Sequence, residues 1–265
     1  MKTTSAGPGY RIVDFARIRE AVIDVLVPAE KKHMIHVLFE ADVTDVHKHL
    51  RERKAEAGKA PSLTAFLIKC TADAAMTDRR LTAVRVAPRK LALFDDMHVN
   101  CMVETSVDGQ SHPLSRIIRQ ANRKSVQEVH EDLSAFTEEE KQAQLRTVRK
   151  FAKLPRSIRS VLMASFVSNP KKIPSAGFNV LFTSVGMFGA GGGHVLPYTQ
   201  YPLCIGVGGI SKKPGLVEDR IEPREFLSIT VTYDHDITDG APAARFAQAL
   251  KDLIEKGHGL LAEPA

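Results

Sequence analysis

Residues 226–256 read FLSITVTYDHDITDGAPAARFAQALKDLIEK. The first nine residues, FLSITVTYD, are rich in β-branched and aromatic types, and this composition predicts a strand. The last stretch, from about residue 239 to 256, spaces its apolar residues at three and four positions, which predicts an amphipathic helix. A strand therefore gives way to a helix at the segment DHDITDG, where polar side chains become exposed at the end of the strand.

Two residues of this junction, His235 and Asp239, are candidates for chemistry. A histidine at a strand end can be oriented by its backbone while its ring faces a cavity, where it can serve as a general base. An aspartate four residues later can fix the turn through a charged hydrogen bond. The motif alone is equally compatible with Asp239 as an ordinary helix cap and His235 as a surface imidazole.

The segments before this junction alternate between strand and helix patterns. They lack the regular strand–helix–strand rhythm of a doubly wound sheet, so the predicted class is an α/β protein built as an α+β sandwich, with a mixed β-sheet flanked by helices. The predicted strands are FNVLFTSV, LCIGVGGI, residues 33–43 and several short candidates between residues 83 and 118. The predicted helices lie within residues 12–26, 44–57 and 61–76 and in the polar stretch that begins at residue 125.

Length and composition predict one globular domain. The chain has 265 residues, of which 43% are apolar and 26% charged, and no apolar run approaches the roughly 20 residues that cross a bilayer. We expect a flexible tail over residues 1–10 and a single domain over residues 11–265. The amino end lacks the apolar stretch of a signal peptide, which predicts a cytoplasmic protein without a membrane span.

The net charge of +6 is compatible with an anionic ligand, either a phosphate-bearing cofactor or nucleic acid. The basic stretch 146–172 contains few aromatic residues, and the chain has no tryptophan, so nucleic-acid binding is disfavoured. The three cysteines lie far apart without a C-x-x-C pair, which indicates buried thiols and no thiolate metal site. His47 and His49 diverge on a predicted helix, so a solvated face is favoured over a metal pair.

The junction TVTYDHDITDGAPAARFAQALKDLIE resembles the C-terminal signature of the catalytic domain of dihydrolipoyl acyltransferases from 2-oxo acid dehydrogenase complexes, in the chloramphenicol acetyltransferase-like superfamily. Four further blocks resemble that domain in the same order along the chain. They are RIREAVIDVL, KKHMIHVLFEADVT, PSLTAFLIKCTADAAM, and FTSVGMFG with the following strand LCIGVGGI. The resemblance spans about residues 11 to 256 and implies the chloramphenicol acetyltransferase-like fold.

The resemblance implies a role for each matched residue. His235 is the general base that deprotonates a thiol, and Thr183 donates its hydroxyl to the oxyanion of the tetrahedral intermediate. Ser184, next to Thr183, is the alternative hydroxyl, and it is assigned with Gly186 to binding of coenzyme A. Asp239 is structural and pairs with Arg19 of the first helix.

The implied activity is acyl transfer between coenzyme A and a lipoyl-like thiol or another nucleophile, without a metal. The implied assembly is a homotrimer or a multiple of it, with each site between two subunits. Only a short tail precedes the predicted domain, so we expect the acceptor to arrive separately, as a lipoyl group on another protein or as a small molecule. The stretch Gly109–Leu114 is more polar than its counterpart in the family, and a non-catalytic oligomeric scaffold is the alternative function. Retention of the three residues His235, Asp239 and Thr183 favours an enzyme.

Overall fold

The computed structural model describes residues 3–107, 110–167, 169, 171–173, 177, 179–186 and 191–261. The strands are β1 (Thr3–Gly7), β2 (Tyr10–Val13), β3 (Met34–Asp42), β4 (Val84–Ala87), β5 (Lys90–Ala92), β6 (Val99–Val107), β7 (Gln110–Ile118), β8 (Val180–Ser184), β9 (Leu203–Val217) and β10 (Arg220–Asp234). The helices are α1 (Arg17–Leu26), α2 (Thr44–Ala57), α3 (Leu63–Ala75), α4 (Val126–Ser134), α5 (Glu138–Ala152), α6 (Arg156–Val167) and α7 (Gly240–Glu255).

Six strands form the main sheet in the order β3-β10-β9-β8-β6-β7. The β6–β8 and β8–β9 pairs are parallel, and the other pairs are antiparallel. The long strands β9 and β10 form a hairpin that continues past the sheet to the pair Val217–Arg220. The prediction of a mixed sheet flanked by helices is therefore confirmed.

One face of the sheet is apolar and packs against the helices. Alternate residues of β10, Leu227, Ile229, Val231 and Tyr233, are almost fully buried in this core. Helix α3 is buried around most of its circumference, as its apolar sequence predicts, and it lies against α4 and α7. The hydroxyl of Ser62 accepts a hydrogen bond from the amide of Ala65 at 3.2 Å and caps this helix.

The opposite face carries polar side chains, and we call it the polar face. On β10 it consists of Ser228, Thr230, Thr232 and Asp234, each less than 5% exposed. Strand alternation and the ladder register place further residues of β6 and β8 on this face, because residues in one row across a sheet share a side. They are Asn100 in the row of Thr232, and Thr183 in the row of Thr230.

The amino-terminal segment differs from its prediction. The periodicity from Ile12 predicts one helix that extends to Leu26, whereas α1 begins only at Arg17, and Ile12 lies in the hairpin β1–β2. Apolar residues three apart satisfy a helical pattern, but Ala16 is extended (ψ 127°), so a helix from residue 12 is wrong. A flexible tail over residues 1–10 does not anticipate the hairpin, and the mobility of that tail stays a prediction.

The basic stretch forms the end of α5 and helix α6, which pack on the domain itself. Arg159 is buried at their junction and donates a 2.5 Å hydrogen bond to Asp24 of α1. The same guanidinium donates to the carbonyl oxygens of Ala152 and Leu154, so it satisfies the end of α5. None of the helices in the described ranges is long and apolar enough to cross a bilayer.

Candidate active site

His235 lies immediately after the carboxyl-terminal end of strand β10. Its backbone amide donates to the carbonyl oxygen of His33 at 2.9 Å, which extends the β10–β3 ladder one residue beyond the pair Asp234–Met34. The imidazole is partly exposed and stacks on Tyr233, with ring centroids 6.2 Å apart and planes inclined by 26°. The backbone of the histidine is therefore held while its ring reaches the surface of the chain.

The residue before the histidine, Asp234, is the buried acid of this turn. Its Oδ2 lies 2.7 Å from Nζ of Lys32, and its Oδ1 accepts a hydrogen bond from the amide of Asp236 at 3.1 Å. Its carbonyl oxygen accepts from the amides of Ile237 and Thr238. The motif analysis did not select Asp234 or Lys32. The sequence contained a signal for Asp234, because it follows Ser228, Thr230 and Thr232 at every second position of the predicted strand.

The residue after the histidine, Asp236, makes an exposed pair with His33. The distance from His33 Nδ1 to Asp236 Oδ1 is 2.7 Å. The hydrogen bond with Asp236 and then the charge of that carboxylate raise the pKa of His33. The two acids that flank His235 thus pair with two consecutive residues, Lys32 and His33.

Asp239 occupies the N-cap position of α7, and its side chain makes no capping hydrogen bond. Asp239 and Arg19 are both exposed, and no ion pair between them is found in the part of the chain that the structure describes. The charge of Asp239 acts instead on Tyr233, whose pKa is raised first by burial and then by that charge. Within the single chain, the carboxylate of Asp234 makes the ion pair and the side-chain hydrogen bond of this turn, and the pairing of Asp239 with Arg19 stays a prediction.

Thr183 and Ser184 point to opposite sides of β8. Phe182, between Val180 and Ser184 in alternation, is fully buried in the core, so Thr183 lies on the polar face. Thr183 is partly exposed and is aligned with Met102 on one side and Gly206 on the other. This orientation favours Thr183 over Ser184 as the hydroxyl that can reach a substrate on the polar face.

Gly186 is required by backbone packing. A Cβ atom at this position would lie 2.1 Å from the carbonyl oxygen of Gly208 on β9. Gly208 and Gly209 make equally close approaches to the loop residues Gly193 and Gly191. The glycines therefore let three backbone segments lie in contact, and this role accounts for Gly186 without a ligand. The next residues of the motif, 187–190, lie outside the described residues.

His235 and Thr183 are far apart within one chain. Thr183 is level with Thr230 and two strands away from β10, and His235 lies five residues further along β10. With strands 4.8 Å apart and a rise of 3.3 Å per residue, the separation is about 19 Å. A single chain therefore does not bring the base and the hydroxyl together at one reacting atom.

Two clefts lie elsewhere on the chain, with volumes of about 680 and 520 Å³. The larger lies between α2, the start of α3 and α4, and the smaller lies where α1 meets the junction of α5 and α6. Within the described ranges, no group of three or more His, Cys, Asp or Glu side chains is arranged to hold a metal ion. His47 instead contacts Glu225, with 2.6 Å between Nδ1 and Oε2.

The three cysteines are buried free thiols, as predicted. Burial raises the pKa of the Cys101 thiol to about 12, and it raises the pKa values of the Cys70 and Cys204 thiols further. Burial and a raised pKa are typical of structural cysteines and not of reactive ones.

Residues 175–262 match the family model of the 2-oxoacid dehydrogenases acyltransferase (catalytic domain). The matched stretch contains Thr183, His235 and Asp239. The resemblance predicted from the motifs is therefore confirmed for the carboxyl-terminal third of the chain.

A curated relative covers most of the chain. The acetyltransferase component of the pyruvate dehydrogenase complex from Mycoplasma capricolum is 27% identical over 223 residues, which is 81% of this chain and 43% of the relative. The chain thus spans less than half the length of this relative.

Two solved structures share the fold over almost the whole chain. Dihydrolipoamide acetyltransferase from Azotobacter vinelandii superposes with a TM-score of 0.69 at 19% identity, with 96% of this chain and 94% of that chain covered. That structure addresses the catalytic roles of a serine, a histidine and an asparagine, and its histidine and asparagine are four positions apart. The cubic core of a pyruvate dehydrogenase multienzyme complex gives a TM-score of 0.67 at 19% identity, with the same coverage.

Proposed function

We propose that the chain is an acyltransferase that moves an acyl group between coenzyme A and a thiol acceptor, with His235 as the general base. The observation that carries the proposal is the position of His235. It follows the last residue of β10, its backbone is fixed by His33, and its ring is accessible, inside the stretch that matches the acyltransferase family model. Asp239 follows His235 by four positions, and the histidine and asparagine named for the Azotobacter enzyme are also four positions apart.

The chemistry follows from the pKa of a thiol. A free thiol has a pKa near 8.5 and is only partly ionised at neutral pH, so a positioned imidazole accelerates attack on a thioester by about 10²–10⁴. His235 accepts the thiol proton while the sulfur attacks the thioester carbonyl carbon. The hydroxyl of Thr183 donates a hydrogen bond to the oxyanion that forms. Collapse of the intermediate expels the second thiolate, which takes the proton back from the imidazolium.

The proposal includes a site shared by two subunits of a homotrimer. The separation of about 19 Å between His235 and Thr183 in one chain, from strand geometry, supports this arrangement because a base and an oxyanion donor must reach one thioester. The fold is also that of a subunit from a cubic assembly. In such a trimer, His235 of one protomer would face Thr183 of its partner.

The substrates are also part of the proposal. Coenzyme A is the acyl donor or acceptor, and its phosphates are compatible with a chain of net charge +6. The second thiol is a lipoyl group on another protein or a small molecule. A cytoplasmic location stays a prediction.

The test measures thioester formation from acyl-coenzyme A and free dihydrolipoamide. Wild-type protein should catalyse the transfer, and His235→Ala should reduce it by at least about 10² with an unchanged melting temperature. His33→Ala is the matched control, because it removes a neighbouring exposed imidazole that the proposed reaction does not use and keeps the backbone carbonyl that accepts the amide of His235.

The non-catalytic scaffold predicts a different result. Under that alternative, wild-type protein forms the trimer and neither binds coenzyme A nor transfers an acyl group. Isothermal titration with coenzyme A distinguishes the two functions even when the correct acceptor is not supplied. Coenzyme A binding that His235→Ala leaves in place, together with loss of transfer, would support the enzyme.

A further inference from the structure

The two acids beside His235 differ in burial and in their partners. Asp234 is buried and contacts Lys32, whose side chain is about one-fifth exposed, whereas Asp236 contacts the largely exposed imidazole of His33. An exposed pair contributes little to the geometry of a folded chain because water screens it, while a buried carboxylate must keep its partners.

Asp234 organises the whole turn that carries His235. Its amide donates to the carbonyl oxygen of Pro202, which ties the end of β10 to the start of β9. Its carboxylate and carbonyl oxygens accept the amides of Asp236, Ile237 and Thr238. The backbone that follows His235 is thus hydrogen-bonded to the residue that precedes it.

Lys32 connects this turn to the strand beside it. Its ammonium group neutralises the buried carboxylate of Asp234, and the next residue, His33, accepts the amide of His235. The contacts Lys32–Asp234 and His33–His235 therefore clamp the same two-residue segment to the catalytic turn. A shift of Lys32 moves both of these contacts.

We propose that Asp234 and Lys32 form the positioning pair of the active site, which sets the direction of the His235 imidazole through the backbone. This inference rests on the proposed function and assigns to these two residues the anchoring role that the motif analysis gave to Asp239 and Arg19. Neither residue of the pair takes part in the chemical step.

The test compares two buried carboxylates on the same strand. Asp234→Asn keeps the size of the side chain and removes the charge that Lys32 neutralises. Glu225→Gln is the matched control, because Glu225 is also a buried carboxylate of β10 that contacts cationic groups, at the other end of the sheet. Asp234 lies nine positions after Glu225, and this spacing corresponds to about 30 Å along a strand.

We expect Asp234→Asn and Lys32→Met to lower kcat by about 10- to 10²-fold with an unchanged KM for coenzyme A, because a small displacement of a catalytic group has this effect. Lys32→Arg keeps the positive charge and should restore most of the rate. Glu225→Gln should lower the melting temperature about as much as Asp234→Asn does, and it should change kcat less than twofold. Equal losses of kcat in Asp234→Asn and Glu225→Gln would overturn the proposal.

A second measurement keeps the inference testable without acyl transfer. The rate at which diethyl pyrocarbonate modifies His235, read by peptide mapping, should change in Asp234→Asn and Lys32→Met and stay at the wild-type value in Glu225→Gln. If Asp234→Asn does not fold, the comparison of Lys32→Met with Lys32→Arg carries the test. Wild-type protein without any transferase activity would refute the proposed function, while unchanged His235 modification in the Lys32 variants would refute the positioning pair.

Discussion

At its amino-terminal end within the main sheet, β10 carries Glu225, and at its carboxyl-terminal end it carries Asp234. Both carboxylates are buried, and each lies within ion-pairing distance of a lysine or arginine side chain. Glu225 contacts His47 and Arg51 of α2, so its network joins a helix to the sheet. Asp234 contacts Lys32 and the backbone of the turn that presents His235.

The difference between the two ends shows how one strand combines stability and chemistry. At the Glu225 end the charges are satisfied by regular elements, and Arg224 adds contacts to Asp42 and Asp45. At the Asp234 end the strand leaves the sheet, and one carboxylate and one carbonyl oxygen of Asp234 accept three backbone amides of the turn. We therefore expect the Glu225 end to determine stability and the Asp234 end to determine activity.

The largest expected effect is that of His235→Ala at the carboxyl end of β10. Acyl transfer should fall by at least about 10², because the thiol loses its base, and thermal unfolding should stay at the wild-type midpoint. Steady-state kinetics and calorimetry on the same preparation provide the comparison. Transfer at the wild-type rate would show that His235 is not the base.

The next effect concerns Thr183, on the other side of the proposed subunit interface. Thr183→Ala should reduce kcat by about 10², which is the usual loss when one oxyanion donor is removed. Ser184→Ala is the matched control on the opposite side of β8, and it should retain most of the activity.

Mixing the two inactive variants tests the shared site. His235→Ala and Thr183→Ala chains that are unfolded and refolded together should regain part of the activity, since some interfaces pair an intact histidine with an intact threonine. Neither variant refolded alone should recover. Native mass spectrometry must show mixed trimers, and if these form without activity, the site lies within one chain or uses another hydroxyl.

A smaller effect is expected at the amino-terminal end of β10, where a substitution should change the free energy of unfolding. Burial works to raise the pKa of the Glu225 carboxyl, but the hydrogen bond and charge of His47 and the charge of Arg51 outweigh it, so this pKa lies below its ordinary value of 4.5. A lowered folded-state pKa stabilises the fold above about pH 4.5, and this stabilisation is lost as the pH falls through the folded value.

We expect Glu225→Gln to lower the free energy of unfolding by about 1 kcal/mol at pH 7, because it removes the charge that contacts His47 and the largely exposed Arg51. The difference from wild type should shrink as the pH falls below about 4.5 and through the lower folded-state pKa, where the carboxylate of the folded wild-type protein becomes protonated. Urea unfolding at several pH values measures both quantities. A difference that is the same at pH 7 and pH 3 would show that the charge of Glu225 does not cause it.

The smallest effect on stability is expected for Asp239→Ala. Its carboxylate is exposed and makes no capping hydrogen bond, so the variant loses only the interaction with the α7 dipole and solvent-screened charge interactions with neighbours such as Arg80, about 0.5 kcal/mol in all. Thermal unfolding of the variant measures this loss. A loss several times larger would indicate the ion pair between Asp239 and Arg19 that the sequence resemblance implies. Arg19→Ala should then show the same loss.

Much of the fold was predictable from local sequence. The β-branched run of β10 and the apolar periodicity of α7 place His235 at their junction, and the all-round apolar sequence of α3 predicts its burial. These predictions hold because the backbone sets the strand and helix periods, and because burial of the apolar side chains of each segment is favourable. The helix predicted from Ile12 failed because the same spacing also occurs in a short hairpin strand.

The sequence by itself determined which residue types stand at the strand end, the mixed sheet and the fold family. Only the tertiary structure decided which acid anchors the turn and which hydroxyl faces the polar side of β8. Asp234, Asp236 and Asp239 are chemically the same, and they differ in their surroundings: Asp234 lies against Lys32, Asp236 lies against His33, and Asp239 is exposed at the start of α7. Ion pairing depends on distance and burial, and residues more than 200 positions apart acquire both only when the chain has folded.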